Sequence, residues 1–180
     1  MPTERHTRGD GGEAYYAMYG PKAASLVRGP AVLDVGCGTG YLLEALAARD
    51  DVTALVGIDR FPAAERVQHP KVQHVEGHLP DALDDLERRR FDTVVSTEFV
   101  EHLPAPQQRV LVEKVRGMTD RFVGSMPIAK MGSGGKRVPS GCPFHCGEWN
   151  PEEWRRFLLR RFAAVEIWTD VYAFTWEALA

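Results

Sequence analysis

A chain of 180 residues with 44% hydrophobic and 26% charged residues fits one domain, and folding at that length buries roughly 70% of the extended-chain surface without needing staples. The formal net charge of −3 argues against a general nucleic-acid-binding surface, which carries a basic excess. Three cysteines, Cys37, Cys142 and Cys146, are too few for a disulfide framework, and no apolar run approaches the ~20 residues of a membrane span, so a soluble, cytoplasmic protein is expected.

Residues 1–12 are polar and charged and read as a flexible segment before a single domain over 13–180. A helix is predicted over Glu13–Val27, carrying Tyr15, Tyr16, Tyr19 and Leu26, with Pro21 placed to break it. Hydrophobic patterning predicts strands at 31–35, 54–58, 72–75, 92–96, 121–125, 163–168 and 171–177, with helices at 40–49, 105–117 and 151–160. Such βα alternation builds a parallel sheet with helices on both faces and ligands at the carboxyl ends of the strands. The last two strands fit a closing hairpin. Between Asp59 and the third strand lie only about a dozen residues, Pro62 and Pro70 among them, so the second crossover helix is a turn or two at most.

The most informative stretch is Val32-Leu33-Asp34-Val35-Gly36-Cys37-Gly38-Thr39-Gly40, an apolar strand that reaches a G-x-G-x-G turn and passes straight into a helix. Glycines there let the backbone turn tightly and approach a ligand that a Cβ would push away. Asp34 sits inside the strand end, and Asp59 closes the second strand 25 residues later, close to the roughly 20-residue offset at which an acid meets ribose hydroxyls. A dinucleotide fingerprint would read G-x-G-x-x-G; here the third glycine comes one residue early. The stretch resembles the first motif of the class I S-adenosylmethionine-dependent methyltransferases. That resemblance implies a Rossmann-like α/β sandwich: a seven-stranded, mostly parallel sheet whose last strand runs antiparallel.

The resemblance also implies a cofactor set of Asp34, Gly36, Cys37, Gly38, Gly40, Asp59, Arg60, Gly77, His78, Thr97 and Glu98. Asp59 would take the ribose and Asp34 the methionine ammonium. His78 stands where the family usually has the Asp that receives the adenine amine, and it accepts only through a neutral ring nitrogen. Glu76, or backbone groups with Phe61 and Leu79, are the alternatives for adenine. Tyr16 or Tyr19 is a candidate cap for the carboxylate end.

After the fourth strand comes Thr97-Glu98-Phe99-Val100-Glu101-His102-Leu103-Pro104. A helical turn from Glu98 to His102 would put Glu98, Glu101 and His102 on one face. His145 follows 43 residues after His102, ahead of Glu148-Trp149 and a helix that Asn150 caps with Pro151 at its first position. This set resembles the metal-dependent small-RNA 2′-O-methyltransferases, in which two Glu and two His hold a divalent ion at the 3′-terminal ribose. On that reading Glu98, Glu101, His102 and His145 hold Mg or Mn and the acceptor is an RNA 3′ end. The same motif occurs in small-molecule methyltransferases, where His102 or His145 serves as general base.

The segment from Lys130 to Cys142 is glycine-rich and basic, placed to cover the substrate, with Lys130, Lys136 and Arg137 available to an anionic group. Cys142-x-x-His145-Cys146 has zinc-like spacing but lacks a fourth ligand unless His102 or Glu101 supplies it. The sequence reading is therefore an enzyme that transfers the methyl of S-adenosylmethionine to an O or N of a small-molecule acceptor. The alternatives are the RNA 3′-terminal reaction and a non-catalytic cofactor-binding partner protein.

Overall fold

The computed structural model describes residues 12–62, 66–131, 137–138 and 144–180. Helix α1 (Gly12–Leu26) leads into β1 (Ala31–Val35), α2 (Tyr41–Ala47), β2 (Ala54–Asp59), β3 (Val72–Glu76), β4 (Thr93–Thr97), α3 (Ala105–Met118) and β5 (Arg121–Pro127). A short hairpin, β6 (Lys130–Met131) and β7 (Arg137–Val138), precedes α4 (Pro151–Leu158), β8 (Ala164–Thr169) and β9 (Ala173–Leu179). The expected flexible segment falls almost wholly outside the described residues, as do the side chains of Tyr15, Tyr16, Lys130, Lys136 and Arg137 and the whole of Cys142.

Seven strands form one sheet in the order β3-β2-β1-β4-β5-β9-β8. Pairing is parallel from β3 to β5, and β9 runs antiparallel to both β5 and β8. This is the sheet that the resemblance implies, with its chain reversal between β1 and β4 opening a crevice at the strand ends.

The period-two alternation of each inner strand divides its side chains between two cores. Leu33, Val35, Val56, Ile58, Val94 and Phe122 face α3 and α4 with Leu111, Val115, Trp154 and Phe157. Val32, Leu55, Val95 and Val123 face α1 and α2 with Leu26, Val27, Leu43 and Leu46. Helices thus lie on both faces of the sheet, as expected.

One local expectation is revised. Helix α1 runs through Pro21 rather than breaking there; Gly20 precedes it and has no Cβ to collide with the proline ring. Between β2 and β3 no described residue is helical. The carboxyl ends of those strands are held instead by buried Arg66, which donates to the carbonyls of Gly57, Val75, Asp59 and Phe61. Between β3 and β4 a 3-10 turn, Asp81–Leu86, buries Leu83 and Leu86. The start of α4 is as read: the Asn150 side chain accepts from the Glu153 N–H at 2.9 Å and Pro151 opens the helix.

Candidate functional site

Beyond β1 the chain turns through Gly36, Gly38 and Gly40, all at positive φ (77°, 52° and 93°). At Gly36 the demand is twofold, because a Cβ would also stand 2.1 Å from Cγ of Phe99. At Gly38 a Cβ would meet nothing within 4 Å, so the turn presents open backbone. Asp59 is built into this turn: its Oδ2 accepts from the Gly38 N–H at 2.9 Å and its Oδ1 from the Phe61 N–H at 3.1 Å. Asp34 lies beside it, 1% exposed, and its Oδ1 has no hydrogen-bond partner among the described residues. A buried acceptor left this way is the observation that fits a cationic ligand group. Burial, and secondarily the charge of Asp59, pushes the Asp34 carboxyl from 3.8 up to about 8.

The sign of that shift makes a prediction. Native Asp34 holds a proton that the unfolded chain has released between pH ~4 and ~8, so the free protein loses stability as pH rises through that window. A ligand ammonium placed against Asp34 restores the ionised form, so binding expels a proton. Affinity for S-adenosylhomocysteine is therefore expected to rise between pH 6 and 8, approaching about tenfold per unit. Calorimetry in buffers of different ionisation enthalpy reads the proton directly, and Asp34→Asn is expected to abolish it. A pH-independent affinity would remove the cation assignment.

The remaining residues that the resemblance assigns to the cofactor lie at or just beyond the carboxyl ends of β1 to β4. Cys37 is buried, with its thiol pushed up chiefly by burial and then by Asp34 and Asp59. Such a thiol is unreactive packing beneath the turn. The Gly77 N–H donates to the Asp59 carbonyl at 3.0 Å, tying β3 to β2. Arg60, Glu76 and His78 are exposed, Phe61, Leu79 and Thr97 half-buried. The Arg60 guanidinium lies 5.8 Å from the centre of the Phe61 ring. Tyr19 is half-buried on α1.

The predicted helical turn after β4 is corrected at its first residue. Glu98 is left-handed, φ 49°, and only Val100–His102 form a 3-10 turn. The reason is a reciprocal clasp with β5: the Glu98 N–H donates to the Ser125 carbonyl at 2.9 Å, and the Ser125 hydroxyl donates to Glu98 Oε1 at 2.8 Å. Burial raises the Glu98 carboxyl from 4.5 to about 7 against that hydroxyl bond. A non-glycine residue held at positive φ stores strain, which is common at functional sites.

Glu101, His102 and His145 come together without Glu98. One ligand atom of each lies within 4.8 Å of the others, and the two imidazole centres are 5.0 Å apart, edge to face at 80°. Two imidazoles and a buried carboxylate suit a divalent cation. His145 Nδ1 donates to Glu148 Oε1 at 2.6 Å, which leaves the lone pair on Nε2. The His145 segment is anchored by the N–H groups of Cys146 and Gly147 on the Glu101 carbonyl, at 2.8 and 3.0 Å. Cys146 is exposed and joins no ligand cluster among the described residues. Ser125, Arg66 and Gln108 were not singled out from the sequence; Glu148 was named only as following His145, with no partner assigned to it.

The family described as a methyltransferase domain matches residues 14–114. Among curated relatives, the ubiquinone biosynthesis O-methyltransferase of Alkalilimnicola ehrlichii is 34% identical over 90 residues, 47% of this chain and 36% of that protein. The chain spans about a third of the length of the curated relatives it matches. Among solved structures, the small RNA methyltransferase HEN1 superposes with a TM-score of 0.68 at 15% identity, covering 99% of this chain and 26% of that one. The DhpI complex with SAH superposes at 0.60 and 17% identity, covering 93% and 90%. At these identities the structural likeness is one of fold.

Proposed function

Because the chain belongs to the methyltransferase-domain family of class I S-adenosylmethionine-dependent enzymes, we propose that it methylates an oxygen or nitrogen of a small-molecule acceptor. The observation that carries this reading is the pairing, at the same strand ends, of the glycine turn with its unsatisfied Asp34 and the His102–His145 contact. When bound, S-adenosylmethionine supplies an electrophilic methyl. Asp34 and the open backbone of Gly38 hold the methionine end, and Asp59 orients the ribose. His145, fixed by Glu148, offers Nε2 to the acceptor proton, and His102 packs against it. Positioning of the two reactants supplies the remainder of the rate. The O-methyltransferase relatives favour a hydroxyl acceptor.

A test combines labelled cofactor with catechols, phenols, amines and a single-stranded RNA bearing free 3′-terminal hydroxyls. A small acceptor is expected to turn over, with His145→Ala lowering kcat by about 10²–10⁴ and leaving S-adenosylhomocysteine affinity unchanged. Cofactor binding without turnover across the panel would instead favour a non-catalytic partner protein.

The Glu101, His102 and His145 cluster favours a second reading, methylation of an RNA 3′-terminal ribose with Mg or Mn, in keeping with the fold likeness to HEN1. A bound ion would lower the pKa of the attacking hydroxyl. Stoichiometric manganese binding that His145→Ala abolishes, together with turnover of the RNA alone, would replace the first reading with this one.

A further inference from the structure

The core-facing stripe of α3 carries one polar residue. Leu111, Val112, Val115 and Met118 follow the helical repeat toward the sheet, and Gln108 occupies the preceding position of the same stripe, 0% exposed. A primary amide out of water is costly unless its hydrogen bonds are replaced, and here they are. The two hydrogens of its Nε2 are shared among the carbonyls of Val100 (3.0 Å), Leu103 (2.8 Å) and Gly147 (2.7 Å), one of them bifurcated, and its Oε1 accepts from the Trp149 indole N–H at 2.6 Å. Indole nitrogen only donates, so the amide orientation is determined. Val100 and Leu103 flank Glu101 and His102; Gly147 and Trp149 follow His145.

Two further residues are explained by the same contact. A Cβ at Gly147 would lie 2.3 Å from Gln108 Nε2 and 3.0 Å from the Leu103 carbonyl oxygen, so glycine admits the amide. Trp149, stacked on Phe157 with ring centres 5.1 Å apart, is held in register by its indole bond. A polar group in an apolar stripe, matched by a glycine and an indole on the facing segment, marks a local conflict kept for placement of a site.

We propose that Gln108 is a positioning residue of the acceptor site: its amide docks the His145 segment onto the His102 turn and sets the edge-to-face contact of the two imidazoles. The proposal rests on the reading of those imidazoles as the acceptor site. Removal of the amide leaves the Cys146 and Gly147 N–H bonds to the Glu101 carbonyl as a backbone hinge, about which the His145 ring shifts off His102, while the cofactor turn, carried on β1 and β2, stays in place.

The test uses ¹⁵N imidazole spectra of the full chain saturated with S-adenosylhomocysteine, assigned with His102→Asn and His145→Asn. In the native protein His102→Asn shifts the His145 ring signals, because the rings touch. Gln108→Met keeps length and burial without hydrogen bonds; that response is expected to vanish in it, with S-adenosylhomocysteine affinity within threefold of native. Trp149→Phe removes the donor to Oε1 while keeping an aromatic ring against Phe157 and is expected to reduce the response by about half; it serves as the test if Gln108→Met does not fold. An undiminished response in either variant, or an affinity loss beyond threefold, overturns the proposal. A response lost while kcat on the acceptor holds supports the positioning role and removes the two-histidine reading, so the two failures are told apart.

Discussion

Asp59→Ala is expected to weaken S-adenosylhomocysteine binding by at least about a hundredfold, roughly 2.7 kcal/mol. The ribose hydroxyls are only part of the loss. Asp59 also receives the N–H groups of Gly38 and Phe61 on its two oxygens, and hydrogen bonds to a charged group contribute about 1.5–3 kcal/mol each. Without them the turn loses the acceptor that fixes its open backbone before the ligand arrives. Asp59→Asn is expected to rescue little, because its NH2 would face one of two donors. Loss of the Asp59 charge also removes one of the two influences that raise Asp34, so the proton expelled on binding falls in the same variant. Isothermal titration reads both quantities, and an unchanged dissociation constant would sink the ribose role.

Trp176→Ala is expected to be the most damaging single change to stability, at about 3–5 kcal/mol. Trp176 is fully buried on β9, with Trp154 at 5.2 Å, Phe122 at 5.6 Å and Phe174 at 6.0 Å between ring centres. Opposite it, Gly124 leaves room that a Cβ would close to 2.3 Å. Truncation therefore opens a cavity among aromatic rings that interlock and cannot readily collapse. For a domain of this size the melting midpoint should fall by roughly 10–15 °C. Trp176→Phe is expected to cost far less, because the indole N–H that it deletes has no hydrogen-bond partner among the described residues. Urea unfolding of both variants checks the pair; equal losses would place the effect outside the cavity.

The sheet and the glycine turn were legible because they rest on local regularities: apolar alternation, the glycine spacing and the acid that closes β2. The set Glu101, His102 and His145 was readable by type, though not its separation from Glu98. That separation depends on a clasp to Ser125, one strand over, and local helical periodicity carries no term for it. Arg66 and Gln108 were illegible for the same reason. Each looks like an ordinary polar residue until folding brings the backbone carbonyls of two or more strands or turns around it. Pro21 was read as a break from a rule about average preceding residues, and Gly20 is not average.

The placing of β9 also bears on how the chain is made. The ribosome delivers β8 before β9, yet β9 lies between β5 and β8. Strand β8 therefore has no partner in the sheet until Ala173–Leu179 emerges, and β5 keeps an open edge until then. The closing step joins residues as distant as Arg121 and Leu179, a loop closure that slows folding. During that interval the bare edge of β5, with Phe122, Val123 and Met126, is where a nascent chain would stick to its neighbours.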